Sequence, residues 1–169
     1  MAKLSVVILA KNEEKFIGAC IKSVKNFSDE IIVVDDFSTD DTAEICENLG
    51  AKVFRRALNG NWAEQKNFAI EQANFGWIFL IDADERVTPE LAEEIKKILS
   101  ADDKNFAWRC ARLSYFWGKP LKHGGWFPDY VTRLLPKAGT YVEGVVHEKI
   151  CHNLTEKDFE SKKYLVHYP

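Results

Sequence analysis

Residues 77–85 read WIFLIDADE, an unbroken run of apolar side chains that ends in two aspartates two positions apart. A short apolar run without polar alternation is typical of a strand that is covered on both faces. Glu30–Val34 (EIIVV) has the same character, and Leu4–Ala10 and Ala51–Phe54 are further short apolar runs. We therefore predict strands at these three ranges and at Trp77–Ile81.

Helical patterns separate these strands. Thr88 is a suitable N-cap for a helix with Pro89 at its first position, and Gly50 is a suitable residue to follow the end of another. Alternation of strands and helices is typical of a parallel sheet with right-handed crossovers, which is an α/β, Rossmann-like fold with helices on both faces. The predicted helices are Glu13–Val24, Thr39–Leu49, Trp62–Ala73 and Pro89–Leu99.

The pattern changes after about residue 103. Phe106–Trp117 and Tyr130–Leu135 alternate apolar and polar side chains, as antiparallel strands do. Residues 136–140 (PKAGT) predict a hairpin turn to a strand at Tyr141–Val146, and residues 118–128 form a Gly/Pro-rich aromatic loop. We predict a single domain over 1–169, with a ligand-binding half at 1–102 and an antiparallel, loop-rich half at 103–169.

Composition favours a soluble, cytoplasmic globular protein. The formal net charge is -3, and no basic stripe stands out, so we expect no nucleic-acid partner. Four scattered cysteines without a CxxC pair predict free thiols in a reducing compartment. We see neither a signal peptide nor a membrane-spanning run, and because the chain stops at YLVHYP (residues 164–169) we expect the natural protein to continue.

Carboxylates follow two of the predicted strands. Asp82 and Asp84 come directly after one strand, and Asp35 and Asp36 follow another. Because parallel strands end at one edge of a sheet, these four side chains would cluster there, which is costly unless cations or hydrogen-bond donors offset it. Oxygen ligands at such an edge suit Mg²⁺ or Mn²⁺, which also take phosphate oxygens from a substrate, although an acidic turn before a helix is an alternative interpretation.

Several of these segments together resemble a known family. Residues 5–14 (SVVILAKNEE), residues 32–42 (IVVDDFSTDDT), Asn67 and residues 82–85 (DADE) look like the family 2 glycosyltransferases, which have the GT-A fold. The downstream stretches GWFPD, RLL and GVVHE (residues 125–129, 133–135 and 144–148) resemble the bacterial subgroup that contains lipopolysaccharide inner-core glucosyltransferases.

The resemblance implies an inverting, metal-dependent enzyme that moves a hexose, with glucose as one candidate, from a UDP-sugar to a saccharide or lipid-linked acceptor. It also implies action at the inner membrane face, with peripheral membrane contact. Asp84 would ligate Mn²⁺ or Mg²⁺, with Asp82 on the ribose or the metal. Lys11 stands where the family often has an aromatic residue that stacks on uracil. The donor-binding set is Ala10, Lys11, Asn12, Glu13, Asp35, Asp36, Lys66, Asp82 and Ala83.

An inverting transfer also needs a general base on the acceptor side. Glu148 is our first choice and Asp129 our second, although Asp129 could instead pair with Arg133. We predict His147 as a further metal ligand, and Trp126 and Arg133 as acceptor contacts.

Three alternatives can be compared with this interpretation, and the sequence argues against the second and the third. A chain that lacks C-terminal helices could bind a nucleotide-sugar without transferring it. A nucleotidyltransferase would carry a Gly-rich phosphate loop after the first strand, where this chain has AKNEE (residues 10–14). A phosphoacceptor receiver module would place its acidic pair after the first strand, where this chain has Lys11 and Asn12.

Overall fold

The computed structural model describes residues 1–145 and 148–169. Within these residues, four α-helices and twelve β-strands follow one another. The helices are α1 (Ile17–Val24), α2 (Thr42–Asn48), α3 (Trp62–Gln72) and α4 (Pro89–Ala101). The strands are β1 (Leu4–Ala10), β2 (Glu30–Asp35), β3 (Lys52–Arg55), β4 (Trp77–Asp82), β5 (Glu85–Val87), β6 (Phe106–Phe116), β7 (Lys119–Pro120), β8 (Asp129–Pro136), β9 (Tyr141–Glu143), β10 (Lys149–Cys151), β11 (Thr155–Asp158) and β12 (Tyr164–His167).

Most of the strands form one mixed sheet. Its order is β3-β2-β1-β4-β8-β6-β12-β5, with β7 and β11 also paired to β6. Strands β3, β2, β1 and β4 are parallel, which confirms the parallel half that the sequence predicts. The register places Ala10 beside Asp35 and Leu9 beside Asp82, so the loops after β1, β2 and β4 leave the sheet at one edge.

Apolar side chains cover both faces of this sheet, as the continuous apolar strands require. On one face, buried residues of α1, α2 and α4, such as Ile21, Cys46 and Ile95, pack on Val6, Ile8 and other β1, β2 and β4 side chains. On the opposite face, Ala69 and Ile70 of α3 pack with the alternate residues of the same strands. The predicted arrangement of helices on both sides is confirmed.

The second half is antiparallel where β8 pairs with β4 and β6, but one predicted pairing is wrong. Residues 136–140 do not connect two paired strands: β9 pairs with β10 in a separate two-stranded sheet. The alternation of residues 130–135 cannot reveal this, because the partners of β8 come from distant parts of the chain. Strand β12 is inserted between β6 and β5, parallel to the first and antiparallel to the second.

Two helices begin later than the sequence patterns suggest. Helix α1 starts at Ile17 rather than at Glu13, and α2 starts at Thr42 rather than at Thr39. The polar residues before α2 are engaged in turn contacts, since an Asp40 carboxylate oxygen accepts from the backbone N–H of Thr42 at 3.1 Å.

All four cysteines are free thiols, as predicted. Cys20, Cys46 and Cys110 are buried, and Cys151 is half-buried. No helix within the described ranges has the length and apolar character needed to cross a bilayer.

Candidate functional site

The C-terminal ends of β1, β2 and β4 lie at one edge of the sheet, which we call the strand-end edge. Hydrogen bonds connect the loops after β1 and β2 there. Asn12 has a left-handed backbone (φ 55°), its N–H donates to Ser38 Oγ at 2.8 Å, and its side-chain oxygen accepts from the Thr39 N–H at 2.8 Å. The Glu13 N–H donates to Thr42 Oγ1 at 2.7 Å. These contacts fix the predicted donor-binding residues 10–13 against the start of α2.

The two aspartates at the end of β2 differ in accessibility. Asp36 accepts from Lys11 Nζ at 2.6 Å and from the Leu58 N–H at 3.0 Å, and the hydrogen bond from Lys11 lowers the pKa of Asp36. Asp35 is fully buried, and its carboxylate accepts from the side chain and the N–H of Ser38. Hydrogen-bond donors offset the charge of Asp35, so its predicted contact with a donor ligand needs correction: the side chain holds the turn and has no surface that a ligand could reach.

At the end of β4, an arginine from the second half binds two carboxylates from the first. Arg133 Nη2 donates to Asp82 Oδ2 and to Glu85 Oε1, each at 2.7 Å. Glu85 is fully buried on β5 and also accepts from the Asp82 N–H at 3.1 Å. Arg133 itself is only 5% exposed.

The charges in this cluster shift the titration of its members. Burial by itself would raise the pKa of Asp82, but Arg133 and Lys66 outweigh burial and hold that pKa at about 2. Burial raises the pKa of Glu85 in spite of Arg133. Burial would lower the pKa of Arg133, yet the two carboxylates raise it overall, so the guanidinium stays charged.

This cluster changes the interpretation of Arg133. Its Nη2 is engaged by two carboxylates and its side chain is buried, so the predicted acceptor contact is replaced by a role in holding Asp82. The suggested Asp129–Arg133 pair is also wrong, because Asp129 accepts from Arg112 Nη2 at 2.6 Å and Nε at 3.0 Å. Residues four apart are neighbours on a helix, but in a strand that rises about 3.3 Å per residue they lie about 13 Å apart on the same face, so the separation of four does not bring these two together.

Asp84 lies beside a histidine that sequence reasoning missed. His167 Nε2 is 3.3 Å from Asp84 Oδ2, and His167 Nδ1 is 3.0 Å from Ser114 Oγ. The pairing of β12 with β5 and β6 aligns His167 with Glu85 and Ser114, which brings its ring to the acidic turn. A histidine at the end of an apolar strand (YLVH) was the available signal in the sequence.

Asp84 and His167 are a candidate pair of metal ligands. Within residues 1–145 and 148–169 there is no group of three or more His, Cys, Asp or Glu side chains that could hold a metal. The pair nevertheless suits a cation that takes few ligands from the protein and the rest from phosphate and water, as Mg²⁺ does. Imidazole nitrogen and carboxylate oxygen are both ordinary ligands of divalent metals. His147, the histidine that we predicted as a ligand, lies outside the described residues.

A cavity of about 320 Å³ opens next to Asp84. Lys66 of α3 enters it and donates to Glu148 Oε1 at 2.6 Å, with both side chains largely buried. Burial would raise the pKa of Glu148, but the hydrogen bond from Lys66 lowers it overall, so Glu148 is a carboxylate. The lining residues are Leu9, Glu13, Trp62, Lys66, Asp82, Ala83, Asp84 and Glu148.

A second cavity, of about 590 Å³, lies on the other side of His167. Trp126, which is 61% exposed as the surrounding glycines suggest, stands in its wall together with Asp129. Trp117, in contrast, is 90% exposed and does not line this cavity. We call this space the aromatic cavity; its lining is Arg112, Ser114, Tyr115, Phe116, Leu121, Gly125, Trp126, Pro128, Asp129, Tyr130, His167 and Pro169.

Comparison with known proteins assigns the chain to a family. The sequence model of Glycosyl transferase family 2 matches residues 5–152, which is most of the chain. The chain belongs to glycosyltransferase family 2. The acidic strand ends and the two cavities described above therefore belong to a chain of this family.

Curated relatives support this assignment. An uncharacterised glycosyltransferase of Rickettsia typhi is 36% identical over an alignment of 172 positions, which covers 98% of this chain and 58% of the relative. The lipopolysaccharide core biosynthesis glycosyltransferase LpsC of Rhizobium meliloti is 40% identical over 119 residues, or 68% of this chain and 44% of LpsC. The chain thus spans less than two thirds of the length of these relatives.

Solved glycosyltransferases share the fold. TarS of S. aureus, solved in complex with UDP, superposes with a TM-score of 0.68 at 17% identity, over 99% of this chain and 60% of TarS. Glucosyl-3-phosphoglycerate synthase from Mycobacterium tuberculosis, solved with Mn²⁺, UDP and glucosyl-3-phosphoglycerate, gives a TM-score of 0.51 at 25% identity over 69% of this chain and 45% of the synthase. The family 2 chain described here therefore has the GT-A fold that the sequence predicts.

Proposed function

We propose that this chain binds a UDP-sugar with Mn²⁺ or Mg²⁺ and transfers its hexose, with inversion, to a saccharide acceptor. One observation carries the proposal: Asp84 and His167 are 3.3 Å apart, yet Asp84 lines the 320 Å³ cavity and His167 lines the aromatic cavity. A metal held by this pair would lie at the junction of the two cavities. A donor in the first and an acceptor in the second would meet there.

The donor nucleotide is proposed to lie over the strand-end edge, where residues 10–13 and Asp36 surround it. Asp36 is ionised and fixed by Lys11 and Leu58, so it offers a carboxylate oxygen of defined position to a base or a ribose. Ala83 is nearly buried, so it would contribute its backbone alone. Lys66 points into the cavity beside Asp84 and would bind the diphosphate.

Asp84 and His167 would hold the metal, and Asp82 would support the site from behind. A bound divalent metal would supply positive charge for the diphosphate as it departs. Asp82 is held by Arg133 and stays ionised down to a pKa of about 2, so it would present its remaining oxygen to the ribose or to the metal.

In the transfer step, an acceptor hydroxyl oxygen attacks the anomeric carbon from the face opposite the diphosphate. A new C–O bond forms as the bond to the diphosphate oxygen breaks, and the hydroxyl proton passes to a carboxylate. We propose Asp129 for that carboxylate, since it lines the aromatic cavity with Trp126. Each carboxylate is paired with a cation, Asp129 with Arg112 and Glu148 with Lys66, so the cavity that each one lines decides between them. Glu148, our first choice from the sequence, lines the 320 Å³ cavity beside Asp84, which we call the donor cavity, and would instead position Lys66.

The two carboxylates can be separated by kinetics. Asp129→Asn should lower kcat by a factor of at least about 10² with little change in the donor KM, because general bases contribute about 10²–10⁴. Glu148→Gln should mainly raise the donor KM, since it releases Lys66. A large loss of kcat in Glu148→Gln with little change in Asp129→Asn would identify Glu148 as the general base.

The donor site is tested by calorimetric titration of UDP with and without Mn²⁺. Binding should depend on the metal and should weaken in Asp84→Asn and in His167→Ala. Glu47→Gln, which changes an exposed carboxylate on α2, is the matched control and should bind as the natural chain does. Metal-independent binding of UDP in all of these variants would overturn the metal assignment. If none of a panel of nucleotides binds to the chain, the proposed donor site is wrong.

The biological context is supported by relatives. LpsC is named for lipopolysaccharide core biosynthesis, and the solved TarS and synthase contain UDP-GlcNAc or UDP. We propose a role in lipopolysaccharide or other cell-envelope polysaccharide synthesis at the cytoplasmic face of the membrane.

A second candidate function is that of a nucleotide-sugar-binding module, which would hold the donor without completing transfer. Release of UDP from a UDP-hexose in the presence of an acceptor mixture would show that the chain is a transferase. Binding of UDP without its release from a UDP-hexose would show that the chain is a binding module.

A further inference from the structure

We propose that the β6–β7 turn and the loop after it, residues 116–126, form a docking surface for an anionic lipid bilayer. We call this segment the hairpin tip. The structure pairs Tyr115 with Pro120 and Phe116 with Lys119, so Trp117 and Gly118 are the two turn residues. Both have positive φ, 50° and 73°, as a tight two-residue hairpin turn requires.

The hairpin tip exposes large apolar rings that nothing in the chain covers within the described residues. Trp117 is 90% exposed and Phe116 is 60% exposed, with ring centroids 6.2 Å apart. Trp126, at the far end of the segment, is 61% exposed. Tryptophan is enriched at the boundary between lipid and water, where its ring is apolar and its N–H reaches polar groups.

The charges of the hairpin tip match an anionic surface. Lys119 and Lys122 are exposed, and residues 113–128 contain no aspartate or glutamate. The whole chain carries a formal net charge of -3, so its general surface is not attracted to anionic lipid. Local lysines next to exposed aromatic rings are the combination that binds protein segments to such surfaces.

A saccharide is a poorer match for the outermost ring. Ligand sites for small molecules are concave, with polar groups that converge on the ligand. Trp117 stands on a turn and lines neither the aromatic cavity nor the donor cavity. Phe116 and Trp126 do line the aromatic cavity, so a docked hairpin tip would turn the mouth of that cavity toward the bilayer surface.

The test is sedimentation of the whole chain with vesicles. The protein should co-sediment with vesicles of phosphatidylethanolamine and phosphatidylglycerol, and much less of it should co-sediment with vesicles of phosphatidylcholine alone. Binding should weaken as salt is raised, since salt screens the lysine contribution. Tryptophan fluorescence should shift to shorter wavelength on binding.

Two variants remove the proposed contacts one kind at a time. Trp117→Ser and the double variant Lys119→Gln/Lys122→Gln should each lower the vesicle partition coefficient by about tenfold or more. Tyr141→Ser, which changes a 49% exposed ring in the small sheet, and Lys22→Gln/Lys162→Gln, which changes exposed lysines elsewhere, are the matched controls and should bind as the natural chain does.

Calorimetric titration of UDP into the Trp117→Ser and lysine variants should match the natural chain, because none of these residues lines the donor cavity. This readout separates the proposal from that of the donor site, since either can fail alone. Equal sedimentation of all variants, or none with anionic vesicles, would overturn the membrane assignment and leave a protein partner as the occupant of the hairpin tip.

Discussion

Arg133 connects residues from the two halves of the chain at the point where the donor would bind. Its pair with Glu85 is almost completely removed from solvent, with side-chain exposures of 7% and 0%. Loss of one partner from a buried pair leaves an uncompensated charge, which costs about 3–5 kcal/mol. Arg133→Met should therefore lower the free energy of unfolding in urea by about that amount.

The control is another arginine that pairs across strands but is more exposed. Arg109 contacts Asp158 at 2.6 Å, with side chains 36% and 37% exposed. Arg109→Met should cost less than about 1 kcal/mol, because such pairs are screened by water. Adding Glu85→Gln to Arg133→Met should recover part of the loss, and equal costs for the two arginines would contradict the buried-pair interpretation.

Glu30 should make the stability of the fold depend on pH, away from the donor site. It accepts from Ser5 Oγ, the Asn74 N–H and Lys52 Nζ at 2.6–2.9 Å. Burial would raise the pKa of Glu30, but the hydrogen bonds lower it from 4.5 to about 2. The folded pKa lies below the unfolded one, so this contribution is complete above pH 4.5 and is lost as pH falls toward 2.

The measurement is urea unfolding at a series of pH values across that window. The unfolding free energy of Glu30→Gln should fall less steeply with decreasing pH than that of the natural chain. Glu47→Gln, at an exposed position, should keep the natural slope. If Glu30→Gln also keeps the natural slope, the hydrogen bonds of Glu30 are not the cause of the loss of stability in acid.

At the scale of elements, helix α4 depends on its first residues. Thr88 Oγ1 accepts from the Leu91 N–H at 3.4 Å and donates to the Tyr164 carbonyl at 3.0 Å, so it both caps α4 and ties it to β12. Thr88→Ala should cost about 1 kcal/mol of unfolding free energy, as the loss of an N-cap does. Differential scanning calorimetry would show this as a lower Tm.

Ser100→Ala, near the C-terminal end of the same helix, is the control. Its hydroxyl donates to the Lys96 carbonyl on an exposed face, so its loss should change stability by less than about 0.5 kcal/mol. A Thr88→Ser variant retains the hydroxyl and should lose less than Thr88→Ala. Equal effects at Thr88 and Ser100 would mean that the cap contributes nothing beyond an ordinary surface contact.

The elements that the sequence predicts well are those that local patterns specify. Strands β2 and β4 are nearly continuous apolar runs, and α3 and α4 begin where predicted, at Trp62 and Pro89. Strands β5, β10 and β11 have three or four residues, which is too short for a periodic pattern. The pairing of β9 with β10 depends on which partner is available in space, and alternation within one strand does not encode that.

The candidate site likewise contains residues that the sequence predicts and residues that only the tertiary structure brings to the site. The sequence predicts Asp84 because a carboxylate directly after a strand is a local feature, whereas Lys66 is predicted only through the resemblance to the family. His167 reaches Asp84 only through the pairing of β12 with β5 and β6, which no local pattern predicts. The predicted roles of Arg133 and Asp35 changed because burial and partners decide what a charged side chain can contact.

At the scale of the whole molecule, the two halves share one sheet. Strand β4 of the first half pairs with β1 on one side and with β8 of the second half on the other, and β5 pairs with β12. Residues 1–102 alone would expose the edge of β4 and leave Glu85 buried or hydrated without Arg133. We therefore expect the chain to unfold as one cooperative unit, in agreement with a single predicted domain.

This expectation can be tested with two probes that report on different parts of the chain. Far-ultraviolet circular dichroism follows the helices, all four of which lie in residues 1–102 among those described, whereas three of the five tryptophans, Trp108, Trp117 and Trp126, lie in the second half. The two urea transitions should coincide. Arg133→Met should then move both midpoints by the same amount, because the residue it changes lies in one half and the carboxylates it pairs with lie in the other. A fluorescence midpoint that shifts while the helical signal stays in place would show that the halves unfold separately, and the donor half would then be a domain in its own right.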